Sequence, residues 1–165
     1  MKRYKLTITA WIVFDIGNNL FYTGIVGLLF PLWITRNMGG SDATLGNVIA
    51  LAMMVAFIAS PIFGVISDRF NIKMPLLILF SSLAAIGLFC LGIGSYYHSL
   101  VLFVVLLSSV HIANIFYNGL LAEISEETNV GRIGGVGVGI GYLGSIVAIF
   151  LSLALTTALG YTVLF

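Results

Sequence analysis

The chain has 165 residues, of which 60% are hydrophobic and 8% charged. A soluble domain carries about 25% charged residues, so a water-soluble globule is excluded. A formal net charge of +1, with no basic stretch interleaved with aromatics, excludes a nucleic-acid partner, and the one cysteine, Cys90, excludes an internal disulfide or a cysteine-based zinc site. No metal or cofactor motif takes their place.

Crossing the hydrocarbon as a helix takes ~20 mainly apolar residues, and stretches at 6–34, 45–66, 75–94, 100–121 and 133–159 qualify. The fold class expected is an all-α, polytopic membrane helix bundle with lipid as its surroundings. The N-terminal "MKRYK" resembles the start of a signal peptide, but Asp15, Asn18 and Asn19 interrupt the apolar core and no small-x-small cleavage site follows, so the first span is expected to be retained.

Within that first span Asp15, Asn18, Asn19 and Tyr22 are spaced i, i+3, i+4, i+7 and form one polar stripe on an apolar cylinder. A charged residue in lipid costs roughly 2.5 to 3.5 kcal/mol on the insertion scale, so Asp15 must meet a partner, a proton or water. Ser41 or Thr44 is placed to cap the second span. Pro61 lies inside that span, where a missing backbone hydrogen bond is expected to bend the helix near Phe57 to Pro61.

The connection "GVISDRFNIKMP" sets Asp68 at a helix C-terminal end, where the dipole disfavours an anion and a cation is wanted; Arg69 and Lys73 are the neighbours. Asn71 accepts a left-handed turn, which would let the chain reverse, and Pro75 suits the first turn of the third span. The fourth span repeats the pattern of the first: Ser108, His111, Asn114 and Asn118 form a stripe flanked by Tyr117. At 1.5 Å per residue Asp15 lies ~13 Å from the inner start of its helix and His111 ~16 Å from the outer start of its own, so both are expected near mid-membrane. A carboxylate and an imidazole at such depth can pair, relay a proton or coordinate a polar solute. The bland alternative is that the Ser, His and Asn side chains are hydrogen-bonding glue between helices, each worth ~0.6 kcal/mol.

In the fifth span Gly139-x-Gly141-x-x-Gly144 formally satisfies a dinucleotide fingerprint, yet neither the strand before it nor the acidic residue after it is present. Gly131, Gly135 and Gly139, and likewise Gly137 and Gly141, are four apart, as in interfaces where helix backbones approach closely, and Gly144 continues the run. Tight helix packing is the better account. Counting bases by alternate sides puts Lys2, Arg3, Lys5, Arg69, Lys73 and Arg132 on one side and Arg36 on the other, so the N-terminus is expected in the cytoplasm.

Gly64-x-x-Ser67-Asp68-Arg69-x-Asn71-x-Lys73 resembles the G-x-x-x-D-R-x-G-R-K loop between the second and third helices of major facilitator superfamily transporters, with Asn71 in place of the usual glycine and Ile72 of the frequent arginine. "FYNGLLAEISEETNVGRIGGVGVGIGYLG", Phe116 to Gly144, is similar to the signature of that superfamily's vacuole-effluxer-like branch. Tyr117, Asn118, Leu120, Leu121, Glu123, Arg132, Gly135, Gly137, Gly141, Tyr142 and Gly144 match it, whereas Ala122, Gly134 and Val138 replace proline, serine and tryptophan. Trp11, Phe14, Asp15, Asn18 and Pro31 follow the same branch's first-helix pattern.

The resemblance implies five of twelve helices, hence an incomplete N-terminal transmembrane domain over 1–165 whose C-terminal half is missing. It also implies a conformational role for Gly64, Asp68, Arg69 and Lys73. The function expected is secondary transport of a small polar solute, an amino acid among the candidates and with proton coupling through Asp15, by alternating access in the cell (inner) membrane. Asp15, Asn18, Asn19, Tyr22, His111, Asn114 and Asn118 are the expected cavity residues. A non-transporting fragment or membrane subunit is the alternative; a membrane enzyme using Asp15 and His111 is the weaker one, because no second intramembrane carboxylate, serine-histidine elbow or H-E-x-x-H helix accompanies them.

Overall fold

The computed structural model describes residues 2–91, 93, 95–125 and 129–159. Gly94, the end of the third expected span, the acidic loop positions 126–128 and the terminal segment 160–165 lie outside the described residues, as do the basic side chains of residues 2–5. Among the described residues every element is helical: α1 (Lys2–Leu20), a π-helical segment (Phe21–Leu29), α2 (Phe30–Arg36), α3 (Asp42–Phe70), α4 (Lys73–Cys90), α5 (Tyr96–Ile124) and α6 (Val130–Leu159). The first three join without a break, and five helices among the described residues are long and apolar enough to cross a membrane.

The helix ends follow local chemistry. Ser41, extended at φ −111° and ψ 159°, caps α3 by accepting the Thr44 N–H at 3.2 Å, the side-chain solution to an orphan donor. At the other end of α3, Asn71 adopts the left-handed conformation, φ 52° and ψ 43°, and the Asn71 and Ile72 amides both return to the Ser67 carbonyl. Gly39, at φ 68°, closes the end of α2 in a similar way, with the Gly40 N–H reaching the Ile34 carbonyl at 2.9 Å. Helix α3 runs through Pro61 as one element. Helix α4 stops at Cys90, short of Gly94, because Leu91 turns to extended backbone and the glycines at 92 and 94 are poor helix formers.

The chain divides into two compact units. The first comprises the described residues of the stretches 2–40 and 121–159, in which α1, the π segment and α6 pack side by side. The second comprises Ser41–Leu120, with α3, α4 and most of α5. Its core is aromatic and aliphatic: Phe80 of α4 meets Phe63 of α3 edge-on at 4.9 Å between ring centroids and stacks on Phe116 of α5 at 6.2 Å. Gly87 of α4 lies against Leu106 of α5, so closely that an added Cβ would come within 3.2 Å of the Leu106 Cβ.

Candidate functional site

The polar stripe of the first span begins at Asp15, which is buried. One helical turn on, the Asn19 amide donates to the Asp15 backbone carbonyl at 2.9 Å and to its carboxylate Oδ2 at 3.2 Å. The carboxylate occupies the space that a side chain would need at Gly141 of α6, since a Cβ built there would overlap Oδ2 and stand 2.9 Å from the Asn19 Nδ2. Only hydrogen at Gly141 admits the carboxylate to the helix seam.

The glycines of α6 form the rest of that seam. A Cβ at Gly137 would enter the Trp11 ring, and one at Gly144 would overlap the Ile16 carbonyl oxygen, so here the backbones of α1 and α6 nearly touch. Such approach favours Cα–H···O=C contacts of about 0.5 to 1 kcal/mol each and dispersion between the two backbones, which offset the ~1 kcal/mol that each glycine costs a helix relative to alanine. The seam continues toward the C-terminal part of α6, where Gly24 of the π segment meets Ala148 and Ser152. Gly131, Gly135 and Gly139 have open space where their side chains would be. Gly139, Gly141 and Gly144 lie within one continuous helix rather than at a strand-to-helix turn, the context a dinucleotide site requires.

Two hydroxyls that the stripe pattern did not single out join this region. Ser145 of α6 lies 3.5 Å from the Asn19 Oδ1, and Thr23 in the π segment donates to the Ser145 Oγ at 2.8 Å. Ser145 could have been suspected from its place immediately after Gly144, four residues beyond Gly141. Thr23 carried a signal too: four residues beyond Asn19 and eight beyond Asp15, it continues their i, i+4 row. Asn18 and Tyr22 are half-buried on the same segment.

The second stripe lies in the other unit. Ser108 is buried on α5, where its hydroxyl donates to the Val104 carbonyl at 2.6 Å and meets the Ala52 carbonyl of α3 at 3.2 Å. His111 and Asn114 are half-buried, Tyr117 is buried and Asn118 is exposed.

At the turn between α3 and α4, Lys73 pairs with Asp68 at 3.4 Å. The Lys73 stem also lies 3.8 Å from where a Cβ of Gly119 would stand. Arg69 takes a different partner, its guanidinium lying 5.8 Å from the centroid of the Phe70 ring. Gly64 has open space around its Cα hydrogen.

The sequence pattern of the Major Facilitator Superfamily matches residues 16–165, nearly all of these helices. The chain belongs to the Major Facilitator Superfamily. It is similar to an uncharacterized MFS-type transporter of Bacillus subtilis (strain 168), YxiO, with 26% identity over 164 residues, covering 93% of this chain and 38% of that protein. An uncharacterized protein of Aquifex aeolicus (strain VF5) is 30% identical over 151 residues, covering 90% of this chain and 39% of its own length. The chain thus spans about two fifths of the length of these relatives. No solved structure matches it.

Proposed function

We propose that the chain acts in a secondary transporter that moves a small polar solute across the cell's inner membrane by alternating access, with amino acids the first class to test. The match to the superfamily over residues 16–165 carries this reading. The transporter named in Bacillus subtilis supports it, and so does the placing of six of seven Lys and Arg residues on one side, which favours a cytoplasmic N-terminus. In this reading the five helices work with a second half-bundle, since alternating access rocks two repeats about a shared site. The vacuole-effluxer-like branch is the assignment that the "GYLG" and "FYN" segments favour.

Asp15 is the residue through which solute or proton acts. A buried carboxylate in a span of this hydropathy is costly unless function retains it, and its neighbours Asn18, Asn19 and Tyr22 provide polar contacts suited to a hydrated path. His111, Asn114 and Asn118 are further candidate solute contacts on the fourth span, while Gly64, Asp68, Arg69 and Lys73 stabilise one access state. The test is reconstitution of the protein, as its native gene encodes it, into liposomes, with counterflow of radiolabelled amino acids and other small polar solutes. Saturable uptake above empty liposomes for at least one class is expected; its absence across the panel contradicts the proposal.

A further inference from the structure

Hydroxyls inside apolar helices usually donate back to their own backbone. Thr35, Ser60, Ser99, Ser109, Thr156 and Thr157 do so here, each bonding a carbonyl four residues earlier. Thr23 and Ser145 are turned instead across the seam between the first span and α6, Thr23 donating to Ser145 at 2.8 Å and Ser145 facing the Asn19 Oδ1 at 3.5 Å.

The donors line up in one direction: Thr23 to Ser145, Ser145 to Asn19, and Asn19 through Nδ2 to the Asp15 Oδ2. An amide has one donor end and one acceptor end, so a hydroxyl donating to Oδ1 favours the orientation that hands the N–H to the carboxylate. The reverse orientation would set amide oxygen against carboxylate oxygen. Chains of aligned hydrogen bonds also polarise one another, so a donor two links away strengthens the last bond.

We infer that Ser145 and Thr23 are positioning residues for Asp15, holding the Asn19 amide in register and tying the orientation of the carboxylate to the π-helical segment Phe21–Leu29. Thr23 lies inside that segment, and π turns depart from the α register by one residue. A return of the segment to α geometry would turn Thr23 away from Ser145 and release the Asn19 amide. A group that engages Asp15 would pull on the same chain from its other end. The functional consequence rests on the reading of Asp15 as a solute-path residue; the chain itself does not.

The test is carbon-13 NMR of the protein in lipid nanodiscs, labelled at the aspartate carboxyl carbon. The residues concerned are Asp15, Asp42 and Asp68, and Asp15→Asn assigns the buried one. Asn19→Leu establishes the shift produced by losing the last link. Ser145→Ala and the near-isosteric Thr23→Val are expected to move the Asp15 resonance in the same sense, and Thr23→Ser, which keeps the hydroxyl, to restore it. Asp42 and Asp68 should hold their positions, which reports that each variant is folded. An Asp15 resonance that moves with Asn19→Leu but not with Ser145→Ala or Thr23→Val overturns the inference, because the chain then ends at Asn19. Loss of the proposed transport reading would appear as absent solute flux and would leave these shifts unchanged.

Discussion

Gly141 of α6 faces Asp15 of α1 so closely that a single methyl group at Gly141 would overlap the carboxylate. A buried carboxyl group and a missing side chain on two helices are therefore one feature. Glycine lets the helices meet, and the meeting gives the carboxylate a place out of lipid.

Gly141→Ala is expected to destabilise the protein by about 1 to 3 kcal/mol, the usual cost of overpacking a close interface. Gly139→Ala, two residues away with open space at its Cβ, is expected to be neutral or to stabilise by up to about 1 kcal/mol, since alanine is the better helix former. Thermal unfolding in nanodiscs checks both; equal effects would show that the seam does not face α1 as described.

At Gly137 the obstacle is an aromatic ring rather than a charge. Gly137→Ala should cost stability while Trp11 is present, and replacing Trp11 with leucine should relieve much of that cost. A double-mutant cycle is expected to give a coupling energy of about 0.5 to 3 kcal/mol, whereas additivity would mean that the two positions do not touch.

Asn71 is a non-glycine residue in left-handed conformation. Asn71→Gly should leave stability unchanged or raise it, and Asn71→Val should lower it by about 1 to 2 kcal/mol, the penalty for a Cβ in that region. By contrast, Lys73→Met should cost at most about 1 kcal/mol through loss of the Asp68 pair, because Asp68 is 73% exposed and surface pairs contribute little. Denaturation of the two variant sets side by side tests whether the turn depends on its backbone more than on its charges.

These contrasts mark what was legible in the residues alone. The five spans followed from apolar length, and the Ser41 cap and Asn71 turn from residue types with one strong local preference. Which glycines of α6 meet a neighbour was not legible: 131, 135, 139 and 137, 141 satisfy the same spacing, and the rotation of α6 about its axis decides between them. The π segment "FYTGIVGLL" is equally suited to an α-helix by composition, and its contacts, Ser145, Ala148 and Ser152, come from more than 100 residues away. The Asn19 bond to Asp15 was legible as an i, i+4 pair, whereas its approach to Ser145, from the far end of the sequence, was not.

The most direct measurement is solute flux in proteoliposomes comparing the unaltered protein with Asp15→Asn and Asp15→Glu. Asparagine keeps the size of the side chain and the hydrogen bond to Asn19 while removing the charge; glutamate keeps the charge but cannot fit against Gly141 without displacement. The account predicts that Asp15→Asn lowers the rate by tenfold or more, about 1.4 kcal/mol in the barrier, or abolishes its pH dependence, and that Asp15→Glu retains part of the rate. An Asp15→Asn protein with unchanged rate and unchanged pH dependence would contradict it.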